Sequence, residues 1–209
     1  MLYQIIPVTS YQQNCSLIWC ETTNKAALID PGGESDKLLS IIAEKGLELD
    51  KVILTHGHLD HVGGAAIISK QCGVPIIGPH KDDAFWLEWI PGQIEMFNFP
   101  PSEIFSPAQW LTEGDKVSVG NISLEVIHCP GHTPGHIVLQ NISEKVLFGG
   151  DIIFKGSIGR TDFPKGDHDQ LISSIKQKLF VLDDETTIIP GHGPTTTIGE
   201  EKRSNSFLI

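Results

Sequence analysis

The sequence has no run of about 18 apolar residues, the length a membrane-crossing helix needs. Its first residues, MLYQIIPVTSYQQN, also lack the basic start and sustained apolar stretch of a secretory leader. Both absences predict a cytoplasmic chain that keeps clear of membranes. Cysteine is sparse: Cys15, Cys20, Cys72 and Cys129 show no CxxC spacing, which argues for reduced thiols rather than a disulfide framework. Basic residues are outnumbered, 15 Lys and Arg against 26 Asp and Glu, for a net charge of -11. The densest basic group is only Lys202-Arg203, so the surface repels phosphate backbones and nucleic acid is excluded as a partner. Fixed-period repeats and low-complexity segments are absent as well. What is present is ordinary for a globular protein: 209 residues, 40% hydrophobic and 20% charged. That is enough for one domain over residues 1–209 with a substantial core.

Short apolar runs alternate with amphipathic stretches. LYQIIPV, CSLIWC and AALID read as three strands, the last closed by PGG. SDKLLSIIAEKG reads as a helix with a Ser or Asp cap and a terminal glycine. KVILT is a buried strand, DHVGGAAIISKQCG a following helix, VPIIG a strand and HKDDAFWLEWI a short helix. From Pro91 to Trp110 the proline- and aromatic-rich pattern predicts an ordered loop whose rings cover a core edge, with a substrate lid or an oligomer contact as the alternatives. KVSV, ISLEVIHC, HIVLQ and KVLFGG are strands again; DHDQLISSIKQKLFVL is a helix and TTIIP a last strand. Strands in both halves with helices between them predict an α/β fold of two sheets with helices outside.

The chemistry concentrates at strand ends. THGHLDH places His56, His58, Asp60 and His61 just past KVILT. Three further strands each run into a turn bearing His132, Asp151 or His192. Ligands of α/β sheets gather outside such carboxyl ends. Taken singly, each residue has an ordinary structural role: Asp60 as a helix cap, His61 as a surface residue. Five histidines and two carboxylates in this placement instead match the donors of zinc, iron or manganese. Seven ligands exceed one tetrahedral ion and imply two ions sharing a bridge. His128 and His136 flank the His132 turn and read as turn-stabilising or supporting residues. His80 and His168 read as surface histidines, and Cys129 as a small buried residue.

THGHLDH, PGHTPGH, GGD and PGHG, in this order, resemble the metallo-β-lactamase superfamily and, within it, the glyoxalase II-like thioester hydrolases. The resemblance runs from the N-terminal strands to Gly193. It implies a four-layer αβ/βα sandwich with metals at one edge. It also implies one metal on His56, His58 and His132, a second on Asp60, His61 and His192, and Asp151 bridging both. The implied cofactors are two divalent ions, zinc first, with iron or manganese as alternatives. The implied nucleophile is a hydroxide shared between them, oriented by Asp60, attacking a small-molecule thioester such as S-lactoylglutathione. Arg160, in GSIGRTDFPKGD, falls where the resemblance places a group that binds the substrate carboxylate; pairing with Asp162 is the alternative. The protein is expected to be a monomer or small homo-oligomer.

Two features depart from glyoxalase II. The additional C-terminal helical region that supplies much of the glutathione site is not expected in these residues, and the NPF ending reads NSFL at Asn205–Leu208. The resemblance therefore implies thioester chemistry more directly than it implies glutathione as the carrier. GRTDF also occurs in the persulfide dioxygenases of the superfamily, which hold a single iron on two histidines and one aspartate. That makes a glutathione persulfide dioxygenase the alternative activity.

Overall fold

A computed structural model describes all 209 residues. β1 (Leu2–Val8), β2 (Gln13–Trp19) and β3 (Lys25–Ile29) form an antiparallel meander. After helix α1 (Ser35–Glu44), β4 (Glu48–Ile53) adds to β3 in parallel. Two short helices, α2 (Leu59–Val62) and α3 (Ala65–Cys72), lead to β5 (Ile76–Ile77), which pairs in parallel with β4. α4 (Ala84–Glu88) and α5 (Ile90–Phe97) follow. The second half contributes β6 (Lys116–Val119), β7 (Ile122–His128), β8 (Ile137–Asn141) and β9 (Val146–Gly150), all antiparallel neighbours. A small hairpin, β10 (Ile153–Phe154) with β11 (Ser157–Ile158), precedes α6 (His168–Ser174). α6 runs on as a π-helical turn to Leu179. β12 (Thr187–Pro190) pairs in parallel with β9, and β13 (Thr196–Thr197) and α7 (Ile198–Ser204) close the chain.

The result is two mixed sheets, β1-β2-β3-β4-β5 and β13-β12-β9-β8-β7-β6. Strand side chains alternate faces, and the three apolar layers follow that alternation. Leu17, Leu28 and Val52 join Leu38 of α1 and Ile68 of α3 on the outer face of the first sheet. Their neighbours Ile18, Ile29 and Ile53 meet Val126, Leu139 and Phe148 between the sheets. Ile127, Val138 and Leu147 of the second sheet turn outward onto Leu171 and Ile175. The four-layer αβ/βα sandwich is thus built by strands apolar on both faces.

Three local expectations are corrected. Residues 91–110 are not all loop: Pro91 sits at the start of α5, where its missing N–H costs nothing, and Asn98 ends the helix in a left-handed turn. DHVGGAAIISKQCG is two helices, broken at Gly63-Gly64, where Gly64 N–H donates to Pro31. α1 has no Ser or Asp cap; Glu34 occupies that position in a left-handed conformation, although Gly46 does end the helix as expected. β10, β11, β13 and α7 carry no periodic signal long enough to be predicted.

Candidate metal centre

Four strands, β4, β7, β9 and β12, deliver the predicted residues at one edge of the sandwich. The loop after β4 carries His56 and His58, and α2 carries Asp60 and His61. His132 lies in the turn after β7, Asp151 directly after β9, and His192 after β12 with Gly191 between. Each turn is tied to its surroundings. Gly131 takes φ 138° against the first turn of α6, where a Cβ would fall 2.3 Å from the Leu171 nitrogen. A Cβ at Gly191 would fall 2.1 Å from Asp151 Oδ1, so only glycine lets that backbone approach. Asn14 of β2 clasps the His192 turn, donating its side-chain N–H to Pro190 O and Gly193 O. The first sheet therefore holds a ligand loop of the second.

The predicted residues converge in two groups. Ring nitrogens of His56, His58 and His132 lie within 4.8 Å of one another, as do ligand atoms of Asp60, His61 and His192. Asp151 lies between the groups, its Oδ1 3.4 Å from His61 Nε2 and its Oδ2 3.8 Å from both His132 Nε2 and His192 Nε2. His58 Nδ1 and His132 Nε2 are 2.9 Å apart, and His192 Nε2 is 3.1 Å from Asp60 Oδ2. Asp60 does not cap α2: His58 holds the cap position and no side chain accepts there.

The donor set fits divalent metal. His132 Nδ1 donates to Arg160 O at 2.7 Å and His192 Nδ1 to Tyr11 O at 3.2 Å, leaving each Nε2 with its lone pair directed into the cluster. His56 Nδ1 donates to Thr55 Oγ1, because that hydroxyl's own proton goes to Asp30 Oδ2 at 2.6 Å. Buried His56 Nε2, His61 Nε2 and Asp151 Oδ1 have no hydrogen-bond partner. Buried polar atoms are ordinarily satisfied, so unpartnered ring nitrogens and a carboxylate oxygen within the two groups are what bound cations would complete. Burial holds His56, His58 and His136 well below the ordinary histidine range, keeping them neutral. Burial would lower His61 too, but the Asp151 and Asp60 carboxylates outweigh it and hold that ring well above its usual value. Burial works against ionised Asp151, yet the surrounding histidines, His61 foremost, drive its carboxyl far below the usual range. The carboxylates of the cluster thus favour positive charge beside them, on a histidine ring or on a bound cation.

Sequence reading passed over the residues that hold the ligands. Asp30, at the end of β3, accepts from Thr55 N at 2.7 Å, from Thr55 Oγ1 and from His61 Nδ1 at 3.0 Å. Both its oxygens are occupied, so it braces rather than ligates. Asp83 joins two ligand loops, accepting from Gly57 N at 2.9 Å, Thr133 Oγ1 at 2.8 Å and Gly135 N at 2.6 Å. Burial pushes its carboxyl up to about 7 against the pull of those donors. Gln93 accepts from Leu59 N and donates to Gly57 O and Trp86 O. His136, placed beside the site by its sequence position, stacks on His56 at 4.6 Å and accepts from Asp151 N at 3.0 Å. His128 donates to Pro134 O and stacks on His80, which is therefore not a free surface residue; His168 is exposed as expected. Cys129 is buried, and burial raises its thiol to about 12. Asp30 and Asp83 were detectable in principle: LID ends a strand as the ligand strands do, and DD precedes a helix.

Above the cluster opens a cavity of about 650 Å³ with His58, Asp60, His132, Asp151 and His192 in its floor. Its wall is aromatic, built from Trp86, Trp89, Phe97, Phe154 and Phe163, with the Phe163 ring edge-on to Trp86 and Phe97. Arg160 also lines it, but its guanidinium forks onto Asp162 at 2.7 and 2.6 Å and lies over the Phe163 ring at 4.1 Å. The Arg160 hydrogen bonds lower the Asp162 carboxyl to about 2.

Comparison with known proteins bears on this arrangement. A family model described as the metallo-beta-lactamase superfamily matches residues 8–192. Hydroxyacylglutathione hydrolase GloC of Haemophilus influenzae is 51% identical over 209 residues, spanning 100% of this chain and 98% of that protein. The crystal structure of BLEG-1 B3 metallo-beta-lactamase superposes with a TM-score of 0.92 at 32% identity, covering 99% of each chain. That of TTHA1623 in a di-iron-bound form gives 0.90 at 35% identity, covering 98% of this chain and 100% of the other.

Proposed function

This chain belongs to the metallo-β-lactamase superfamily as a glyoxalase II-like metal-dependent hydrolase, and we propose that it cleaves a glutathione-type thioester such as S-lactoylglutathione with two divalent ions. The observation that carries the reading is the pair of ligand groups with Asp151 between them. In this reading His56, His58 and His132 hold one ion, Asp60, His61 and His192 the other, and Asp151 serves both. Zinc suits the donors; the same donors admit iron or manganese, and TTHA1623 was crystallised with two irons. When bound, the ions lower the pKa of water to about 7 and polarise the thioester carbonyl.

The chain's own groups do the rest. Asp60, partly open to the cavity while His61 is fully enclosed, orients the attacking water and takes its proton. The thiolate is a good leaving group and needs little acid assistance. The aromatic wall thins bulk water around the reacting carbonyl and so strengthens every charge interaction on the floor. Arg160 contributes first through its carbonyl, which orients His132; its side chain would meet a substrate carboxylate only by leaving Asp162. The β-lactamase relative is more distant, at 32% identity against 51% for the hydroxyacylglutathione hydrolase, which is why a thioester rather than a lactam is the proposed acyl donor. The reading treats residues 1–209 as one catalytic domain, acting as a monomer or small homo-oligomer in the cytoplasm, in keeping with four free cysteines. No helix is long and apolar enough to cross a membrane.

The test is thiol release from S-lactoylglutathione by protein of measured metal content. Release by chains holding two ions supports the reading, and none from such chains ends it. GRTDF, Gly159–Phe163, favours one second reading, a persulfide dioxygenase. Protein with one iron that consumes oxygen with glutathione persulfide would establish it instead.

A further inference from the structure

The cavity over the metal centre offers a substrate few polar groups: the Ser157 hydroxyl and the buried, unpartnered Trp86 Nε1 are neutral, and no unpaired cation lines it. Among its lining residues the one charged side chain outside the ligand cluster is Arg160, already forked onto Asp162. The Gln93 amide is spent on Leu59, Gly57 and Trp86, and the Tyr11 hydroxyl donates to Phe97 O at 2.9 Å. Lys165, nearby in sequence, has its ammonium over the Phe85 ring at 3.8 Å. Against this stand large apolar groups that are not sealed into the core. Trp89 is 37% exposed and Met96 59% exposed at the rim. A concentrated, partly open apolar surface beside a reactive centre marks a binding surface.

A glutathione-type thiol is a charged peptide that offers such a wall only a short methylene next to sulfur. The net charge of -11 repels its two carboxylates, and burying them without free cations is unfavourable. The part of a thioester able to use this wall is the acyl group. From the geometry we infer that specificity resides in a bulky apolar acyl arm, aryl or branched alkyl, packed against Trp89, Met96 and Phe163, while the peptide carrier stays largely in solvent. The inference rests on the thioester-hydrolase reading and deepens it.

Four substrates test it with the metal-loaded full chain: S-lactoyl and S-mandeloyl esters, which differ by methyl against phenyl, each on glutathione and on the small neutral thiol N-acetylcysteamine. The expected result is a kcat/KM at least about tenfold higher for mandeloyl on either carrier, and a change below about threefold on exchanging carriers. Lactoyl equal to or better than mandeloyl, or a loss above tenfold on the truncated carrier, overturns the inference. Thiol release from none of the four overturns the hydrolase reading itself, a different failure. A readout independent of turnover is tryptophan fluorescence with non-hydrolysable thioethers of glutathione. A phenyl-bearing thioether should bind about tenfold tighter than a methyl one, and equal affinity contradicts the inference. Trp89→Ala should cut the mandeloyl preference at least threefold. Met96→Ala, at a more exposed position, gives the same reading should Trp89→Ala fold poorly, and an unchanged preference in a folded variant overturns the assignment.

Discussion

The floor and the wall of the cavity solve opposite problems. On the floor, nearly every ligand is fixed by a second bond. Asp30 holds His61 and, through Thr55, His56; the Arg160 carbonyl holds His132; Tyr11 holds His192; Asp83 locks the loops around Gly57 and Gly135. The wall has few such ties. Its α4–α5 segment is anchored by buried Trp86, Leu87 and Ile90, with Gln93 and the Tyr11–Phe97 bond as its polar ties, and it leaves Trp89 and Met96 partly in solvent. The difference teaches a division of labour: chemistry needs ligand atoms placed to within a fraction of an ångström, whereas selection among apolar groups needs only area and shape.

That division can be broken by substitution. The largest effect is expected from Asp151→Ala, which removes the carboxylate shared by both ligand groups. Thiol release should fall by about 10³-fold or more, with metal content dropping while circular dichroism stays native; unfolding would instead make Asp151 structural. Next is Asp30→Ala, which leaves three buried donors unpartnered. It should weaken metal binding by about 10- to 100-fold and lower stability by about 3 kcal/mol, read by chelator competition and denaturant unfolding. Smaller again is Tyr11→Phe, which cuts the strap between the β1–β2 turn and α5. It should cost at most about 1 kcal/mol and raise KM by about two- to threefold with metal affinity unchanged. A Tyr11→Phe protein that loses metal as readily as Asp30→Ala would erase the distinction between floor and wall. The smallest effect is expected from Arg160→Ala. Its ion pair is exposed and screened by solvent, so it contributes little, and its grip on His132 is through the main chain. Metal affinity should therefore stay within about threefold.

The same contrast governs what the sequence makes legible. The floor could be read because residue identity carries the chemistry: His and Asp clustered past four apolar strands have few uses besides binding metal, and the structure gathers all seven at one edge. The braces were harder. Asp30 and Asp83 act through hydrogen bonds to residues 25 to 52 positions away, a pairing that no local spacing encodes. The wall was misread in part, because Phe and Trp fill cores as readily as they line pockets. Within that stretch both happen, and Phe99 does both: it is buried in the first apolar layer and lines the cavity with Met96 and Phe97. Pro91 concealed α5 because proline interrupts a helix everywhere except its first turn. The layer order was legible because strands such as AALI and VLF are apolar on both faces.

The central claim is that two metal ions on this floor hydrolyse a thioester. One measurement tests it most directly: metal ions per chain determined on the same samples in which thiol release from S-lactoylglutathione and oxygen uptake with glutathione persulfide are followed. A two-metal hydrolase predicts thiol release that rises with metal content up to two ions per chain and no oxygen uptake. Oxygen uptake saturating at one iron per chain, without thiol release, would contradict it.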